Sequence, residues 1–140
     1  MRTIPQILRE SKTIAIVGMS SKADRASNEV GAYLQRNGYR ILPVNPSYAG
    51  QTILGEPVHA SLQDAADALA SSGQRIDIVD CFRKSEDIGP IAHEAIAVRA
   101  GCLWMQLDIE NQAAADLARA AGLDVVMNRC IKVEHRSLEG

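Results

Sequence analysis

The sequence is poor in cysteine and in aromatic residues, and each shortage excludes a class of structure. Only three of its 140 residues are cysteines, Cys81, Cys102 and Cys130, and 4% are aromatic. Because the cysteines are odd in number and widely spaced, they predict neither a disulfide framework nor a CxxC metal site, and reduced thiols are expected. The three histidines stand at no metal-ligand spacing from one another or from the cysteines, so no metal is expected.

Long apolar runs and a strong net charge are also missing. No stretch of about 18 or more apolar residues occurs, and residues 1–11 contain Arg2, Arg9 and Glu10 in place of the apolar core of a signal peptide. We therefore expect a cytoplasmic protein that makes no contact with a membrane. The formal net charge is −2 and the lysines and arginines are scattered, which argues against nucleic acid as a partner.

What the sequence does contain is an alternation of apolar runs and helical segments. Hydrophobic residues make up 46% of the chain. Short runs of β-branched and other apolar residues predict five strands, at residues 13–18, 39–44, 76–82, 102–107 and 123–127. Helices are predicted between the strands, with Ser27, Ser61 and Ser85 as their capping residues, and a short helix is predicted at residues 3–10. The polar residues 128–140 are expected to close the chain.

This alternation predicts one α/β domain over residues 1–140. Consecutive parallel strands need long right-handed crossovers, which the helices supply on both faces of the sheet. We expect a doubly wound, Rossmann-like parallel sheet of about five strands, in the order 3-2-1-4-5 when strands are numbered along the chain. Ligands of such sheets bind outside the carboxyl ends of the strands, beside the switch point next to the first strand.

The first predicted strand ends in a loop suited to a phosphate. The loop combines a glycine, small hydroxyl residues, two cations and the start of a helix, in the residues Gly18, Met19, Ser20, Ser21, Lys22, Arg25 and Ser27. Backbone N–H groups and the positive end of the helix favour a phosphate at such a position. The alternative is a surface loop in which Gly18 only makes a tight turn.

Two nucleotide-binding motifs are absent from this loop and its surroundings. The next glycine after Gly18 is Gly31, so there is no GxGxxG, and Asn45 and Pro46 stand where an acidic residue would bind a ribose. The phosphate-loop pattern GxxxxGK[ST] is missing as well. These absences argue against ordinary NAD binding and against hydrolysis of ATP or GTP.

The ends of the later strands add six candidate residues: Phe82, Arg83, Trp104, Gln106, Arg129 and Cys130. Phe82 could stack on a base and Arg83 could hold a phosphate, or the first could belong to the core and the second to solvent. Trp104 is of a type found more often in the core than against a ligand. A nucleophilic Cys130 would need a base close to its thiol, and a buried, inert thiol is the alternative.

Four segments in this order resemble the small bacterial CoA-binding protein family: IAIVGMSSKADRASNEVGAYLQRNGYRILPVNP, ILGEPVHASL, IDIVDCFRKSEDI and LWMQLDIENQAAADLARAAGLDVVMNRCIKVEH. That family is similar to the CoA-binding amino-terminal domain of succinyl-CoA synthetase α chains. The resemblance runs from about residue 11 to residue 135, nearly the whole chain. It implies coenzyme A, free or acylated, as the ligand.

The resemblance also assigns parts of the sequence to parts of the ligand. It implies phosphate contacts for the glycine-serine loop at residues 18–21 and for Arg25 and Ser27. It implies that the VNP segment lies beside the adenosine, that the FR pair lies beside the nucleotide or the pantetheine arm, and that the WMQ turn and the RC pair border the far end of the pocket. Those segments comprise Val44, Asn45, Pro46, Phe82, Arg83, Trp104, Met105, Gln106, Arg129 and Cys130.

Three residues depart from the usual pattern of that family. Ala26 stands where proline is usual, Asp108 where glycine is usual and Asn128 where aspartate is commoner. The second domain of the synthetase, which carries its phosphorylated histidine and its partner surface, has no counterpart in these 140 residues. The chain is therefore not expected to make thioesters alone.

We expect a non-catalytic protein that binds CoA or acyl-CoA as a carrier, sensor or regulatory module. One alternative is a small CoA- or nucleotide-dependent enzyme that uses the thiol of Cys130 or Cys81. Another is a protein-interaction domain with an empty cleft. A homodimer is also open, since small domains often pair and the apolar helix at residues 3–10 could contribute to an interface.

Overall fold

The computed structural model describes residues 1–139, which form one parallel sheet, a short hairpin and helices on both sides of the sheet. The strands are β1 (Thr13–Val17), β2 (Arg40–Val44), β3 (Thr52–Ile53), β4 (Glu56–Pro57), β5 (Ile78–Cys81), β6 (Cys102–Met105) and β7 (Asp124–Val126). The helices are α1 (Ile4–Glu10), α2 (Ala26–Arg36), α3 (Leu62–Ala70), α4 (Ile88–Ala97), α5 (Gln112–Ala120) and α6 (Ile131–Glu139).

The predicted fold class, an α/β doubly wound parallel sheet, is confirmed. The sheet has five parallel strands, and β1 is buried along its whole length because helices cover both faces. Alternate side chains of the strands enter two apolar clusters. The buried residues of α3, α4 and α5 belong to one cluster, and those of α1, α2 and α6 belong to the other.

The predicted strand order, 3-2-1-4-5, is wrong. The observed order is β2-β1-β5-β6-β7, so the third strand of the sheet along the chain, β5, lies between the first and the fourth. Pro43 gives the physical reason, because a proline has no N–H for a second strand partner and is confined to edge strands. The four residues of β5, by contrast, are all buried, as a central strand requires.

Residues 45–59 occupy the outer edge of β2, where the predicted order had a strand. The backbone N–H of His59 donates to the carbonyl of Pro43 at 3.0 Å, and that of Asn45 donates to the carbonyl of His59 at 2.9 Å. The short antiparallel pair β3–β4 turns through Leu54 and Gly55, whose φ angles of 55° and 78° suit a type I′ hairpin. This segment therefore replaces a full strand as the cover of the edge.

Two of the three predicted helix caps are wrong. Ser61 caps α3 as predicted, with its Oγ accepting the N–H of Asp64. Helix α2 instead begins at Ala26 after Arg25, and the Oγ of Ser27 accepts the N–H of Ser20 at 2.9 Å. The Oγ of Ser85 likewise accepts a backbone N–H from outside its helix, that of Glu110. In both cases a neighbouring loop takes the hydroxyl that was expected to cap the helix.

Helix α6 lies in the segment that was predicted only as a polar end of the chain. Ile131, His135 and Leu138 recur at helical spacing and belong to the side of α6 that packs on α1 and α2. The charged residues between them concealed this narrow apolar face. The helix matters to function because its start follows the predicted site residues Arg129 and Cys130, and its apolar face covers the second cluster.

Candidate functional site

The carboxyl ends of β1, β2 and β5 meet at one edge of the sheet, beside its topological switch point. The chain leaves β1 for α2 on one face, whereas it leaves β5 for α4 on the other face. A crevice opens where two neighbouring strands send their connections in opposite directions. In the observed order this point lies between β1 and β5.

Gly18 stands at this point and touches both neighbouring strand ends. Its N–H donates to the carbonyl of Val44 at 2.8 Å, and its φ is 86°, a conformation that favours glycine. A Cβ atom at this position would lie 2.4 Å from the carbonyl oxygen of Phe82 and 3.2 Å from the side chain of Arg83. Any other residue at position 18 would therefore place its Cβ atom too close to the backbone of Phe82.

The loop after Gly18 is fixed by its own hydrogen bonds. The N–H of Ser20 donates to Ser27 Oγ at 2.9 Å, and the carbonyl of Ser20 accepts from the amide of Asn28 at 2.9 Å. The N–H of Lys22 in turn donates to Ser20 Oγ at 3.1 Å. This network holds the loop over the start of α2 and leaves Ser21 to Arg25 exposed.

Met19 differs from the rest of the loop because it is fully buried. It lies under α2, where a Cβ atom on Gly31 would come within 2.6 Å of Met19 Cε. Its side chain therefore anchors the loop to the core, and only its backbone belongs to the surface. The carbonyl of Met19 accepts from the side-chain amide of Asn45 at 3.0 Å.

Asn45 links the first loop to the second. Besides its bond to Met19, it accepts the N–H of Ser47 at 3.0 Å and is itself buried. Pro46 follows directly and begins a short 3-10 turn. Asn45 stands where an acidic residue would bind a ribose in the usual dinucleotide site, and its side chain is already hydrogen-bonded within the protein.

A cleft of about 360 Å³ opens between these strand ends and the helices α3 and α4. Its walls comprise Val17, Val44, Pro46, Ala60, Ser61, Leu62, Arg83, Asp87, Ile91 and Glu94. Three of the predicted site residues, Val44, Pro46 and Arg83, border it directly. The lining also contains two acidic residues, Asp87 and Glu94.

Phe82 and Arg83 point to opposite faces, as neighbours beyond a strand end do. Phe82 packs against the cluster under α2 and α6, whereas Arg83 enters the cleft on the side of α3 and α4. The alternative interpretation of Phe82 as a core residue therefore describes its packing. Arg83 is partly buried and makes no ion pair within the described residues.

The four remaining predicted residues form a second group around the start of α6. Trp104 is fully buried, and its Nε1 donates to the carbonyl of Arg129 at 2.8 Å. Gln106 is also buried, and its Oε1 accepts the N–H of Ile131 at 3.1 Å. Both side chains thus hold the segment that carries Arg129 and Cys130. None of these four residues borders the 360 Å³ cleft.

Two of the departures from the family pattern meet beside this group. Asp108 and Asn128 have φ angles of 70° and 61°, in the left-handed region. The N–H of Asp108 donates to Asn128 Oδ1 at 2.7 Å. A glycine would adopt the backbone conformation of Asp108 without strain. Ala26, the third departure, is the first residue of α2. Proline is favoured at that position because a backbone N–H there would have no partner within the helix, so its absence costs no hydrogen bond.

The prediction missed Asp80, an aspartate in the middle of the central strand β5. Its side chain is fully buried beside Ile16 and Trp104 in the strand register. Neither carboxyl oxygen has a hydrogen-bond partner among residues 1–139. Burial raises the pKa of Asp80 well above its usual value, so the carboxyl tends to keep its proton. The sequence signal is an aspartate inside the apolar stretch IVDCF, residues 78–82.

The cysteines differ sharply in exposure. Cys81 and Cys102 are fully buried, and burial, with a smaller contribution from nearby carboxyl groups, raises the pKa of both thiols. Both are therefore poor nucleophiles. Cys130 is partly buried. Within the described part of the chain, no cluster of three or more metal-ligating side chains occurs, and no helix is long and apolar enough to cross a membrane.

Comparisons with known proteins agree in the kind of domain that they find. The sequence matches, over residues 12–136, the model of a protein family described as the CoA binding domain. It is 37% identical over 132 residues to the uncharacterized protein YneT of Bacillus subtilis (strain 168), covering 94% of this chain and 91% of that protein.

Solved structures show the same architecture. The protein called cell-free ID.343 from Thermus thermophilus superposes with a TM-score of 0.88 at 35% identity, over 96% of each chain. A hypothetical protein from Pyrococcus horikoshii OT3 superposes with a TM-score of 0.87 at 36% identity, over 98% of this chain and 90% of the other.

Proposed function

The chain belongs to the CoA binding domain family, and on that premise we propose that it binds coenzyme A or an acyl-CoA at the carboxyl edge of its sheet. We propose further that it is a non-catalytic carrier, sensor or regulatory module of the cytoplasm. The observation that carries the proposal is the meeting of Gly18, Val44 and Arg83 at the switch point of the sheet.

We assign the ligand's phosphates to the loop at residues 18–25 and the start of α2. The loop is held in place by Ser20 and Ser27, and its exposed cations, Lys22 and Arg25, stand where the helix dipole also favours negative charge. The close approach that Gly18 permits would let a ligand lie against the backbone.

We assign the adenosine part to the 360 Å³ cleft. Val17, Val44 and Pro46 supply apolar walls, and Arg83 supplies a cation beside Gly18. The volume is near the lower end of the range for small-molecule pockets, roughly 300 to 1,000 Å³. It suits a nucleoside and not a whole CoA molecule, so the pantetheine arm would leave the cleft along the edge toward the group around Gln106 and Cys130.

The burial of two of the three thiols supports a non-catalytic role. The raised pKa values of Cys81 and Cys102 disfavour a thiolate, which is the reactive form. Cys130 is the one cysteine among residues 1–139 that solvent reaches. If the protein is a binding module, Cys130→Ser should bind CoA as the wild type does. A turnover of acyl-CoA that Cys130→Ser abolishes would instead establish the enzyme alternative.

The direct test is the melting temperature with CoA, acetyl-CoA, NAD and ATP, each added separately. A ligand at about a hundred times its dissociation constant stabilises the folded state by roughly 2.7 kcal/mol, a shift on the order of 5 to 10 °C for a chain of this length. We expect such a shift with CoA and acetyl-CoA. A shift with NAD or ATP alone would overturn the ligand, and no shift with any of them would favour an empty cleft.

A matched pair of variants on α2 locates the site. Arg25→Ala removes a cation beside the proposed phosphates, whereas Arg36→Ala removes one from the last turn of the same helix. We expect the first to lose most of the CoA shift and the second to keep it. The homodimer that the sequence leaves open is tested separately by the mass of the protein in solution with and without CoA.

A further inference from the structure

A second cavity lies at the opposite edge of the sheet from the CoA cleft. It has a volume of about 280 Å³ and lies among the end of α1, the turn after α2 and the helix α6. We call it the amino-edge cavity, because residues 11–12 lead into β1 and residues 37–39 lead into β2. Its lining residues are Leu8, Arg9, Ser11, Lys12, Asn37, Gly38, Tyr39, His135 and Leu138.

The lining is positively charged although the protein as a whole has a net charge of −2. Among the described side chains, it contains Arg9 and Lys12 and no acidic residue. Neither side chain makes an ion pair with the described side chains, those of residues 1–138. Two uncompensated cations at the mouth of a concave surface attract an anion.

Two neighbouring carboxylates, those of Glu10 and Asp77, each contact another arginine. Glu10 contacts Arg2 at 3.4 Å, and Asp77, which accepts the backbone N–H of Lys12, lies 3.6 Å from Arg75. An anion that enters the cavity would therefore find the charges of Arg9 and Lys12 available.

His135 adds an oriented ring to the wall. Its Nδ1 lies 2.7 Å from the hydroxyl of Tyr33, and its ring meets the rings of Tyr33 and Tyr39 edge to face. The described residues provide no hydrogen-bond partner for Nε2. When the hydroxyl of Tyr33 donates to Nδ1, Nε2 carries the ring proton and can donate a hydrogen bond to a ligand.

Ser11 supplies a second unused polar group. The residue is only 7% exposed, and its Oγ has no hydrogen-bond partner in the part of the chain that the structure describes. A buried hydroxyl without a partner is unfavourable. An anionic oxygen in the cavity would supply the missing acceptor after a rotation of the side chain about χ1.

We propose that the amino-edge cavity binds a small organic anion with a phosphate or carboxylate head and a short apolar part. Arg9, Lys12 and His135 bind the head, and Leu8 and Leu138 contact the apolar part. The volume lies just below the usual range for ligand pockets, which restricts the apolar part to a few carbon atoms. The site is separate from the CoA cleft and does not depend on the function proposed for it.

Amide chemical shifts of the isotope-labelled protein test the proposal directly. Propyl phosphate and propionate are the probes, and sodium chloride at the same ionic strength is the blank. We expect saturable shifts at residues 9–12 and 37–39 and at His135 with at least one probe. Shifts that match those of the blank, or that are confined to residues 18–25, would overturn the proposal.

Two charge-removing variants complete the test. We expect Arg9→Gln to weaken binding of the responding probe about tenfold, because a charge-assisted hydrogen bond is lost at an exposed position. Arg119→Gln removes an arginine from α5, on the other face of the sheet, and should leave the affinity unchanged. Equal affinity in wild type and Arg9→Gln would contradict the site.

Discussion

The two edges of the sheet each carry a cavity, but different parts of the chain build them. At the carboxyl edge, the walls come from strand ends, the loops that follow them and the helices α3 and α4, with Gly18 in contact with the ends of β2 and β5. At the amino edge, the walls come from the terminal helices α1 and α6 and from the turn after α2. The first arrangement is a consequence of topology, whereas the second depends on how distant segments pack.

This difference decides what could be anticipated at each edge. A loop that follows a parallel strand faces the carboxyl edge whatever the strand order is. The meeting of α1 with α6, more than a hundred residues later, has no such local rule. The predictions that follow test whether the two edges are independent and which residues hold each one together.

The largest effect is expected at Gly18, which is essential only to the carboxyl edge. Gly18→Ala places a Cβ atom 2.4 Å from the backbone oxygen of Phe82 and in a left-handed conformation. We expect a loss of about 3 to 4 kcal/mol in the free energy of unfolding, measured by urea denaturation, and a loss of CoA binding.

Gly50→Ala is the matched control for that substitution. Gly50 has the same φ of 86°, but a Cβ atom there would meet nothing within 4 Å. It should lose only about 1 to 2 kcal/mol, the cost of the left-handed conformation alone. Equal losses in the two variants would show that the close approach of a Cβ atom at position 18 to the carbonyl oxygen of Phe82 costs no stability.

Asp80, which is buried near the carboxyl end of β5, makes the stability of the protein depend on pH. Burial raises the pKa of its folded state, so the folded protein keeps a proton that the unfolded chain releases. The free energy of unfolding should therefore fall as pH rises above about 4, until the pH passes the folded-state pKa.

Asp80→Asn removes this titration. The free energy of unfolding of the variant minus that of the wild type should therefore increase by up to about 1.4 kcal/mol for each pH unit in that window. Asp67→Asn, at an exposed position of α3, is the control for the loss of one carboxyl group. If Asp67→Asn changed the pH dependence of the free energy of unfolding as Asp80→Asn does, the result would contradict a buried, protonated Asp80.

Removing one arginine charge at each edge of the sheet tests whether the two cavities bind their ligands independently. Arg83→Gln should weaken CoA binding about tenfold in isothermal titration and leave anion binding at the amino edge unchanged. Arg9→Gln should have the opposite pattern. If each variant weakens both ligands, the two cavities are coupled and the account of separate sites is wrong.

The smallest expected effect concerns the rigidity of the loop at residues 18–25. Ser27→Ala removes the acceptor of the Ser20 N–H in a partly buried hydrogen bond, and we expect a loss of about 1 kcal/mol in the free energy of unfolding. Ser21→Ala, at an exposed position in the same loop, should change it by less than about 0.5 kcal/mol. Similar losses would mean that the loop is not held by Ser27.

Much of the fold was predictable because its signals are local. Apolar runs such as residues 13–18 indicate buried strands, and Ser61 three residues before Asp64 indicates a helix start. The predicted strand order was wrong, although Pro43 carried the information that β2 is an edge strand. Helix α6 was missed because its apolar face consists of few residues among many charges.

The candidate site divides in the same way. The segments around Gly18, Val44 and Arg83 were predicted and do meet, because each follows a strand of one parallel sheet. The walls from α3 and α4 could not be placed without the strand order. Trp104 and Gln106 were predicted as pocket residues, and their hydrogen bonds to the start of α6 show a supporting role that depends on long-range packing.

The central claim is that the carboxyl edge is the CoA site, and amide chemical shifts with CoA test it most directly. The account predicts saturable shifts at residues 18–27, 44–46 and 82–83, with residues 9–12 and His135 unaffected. Shifts confined to the amino edge, or no shifts when CoA is in large excess, would contradict it.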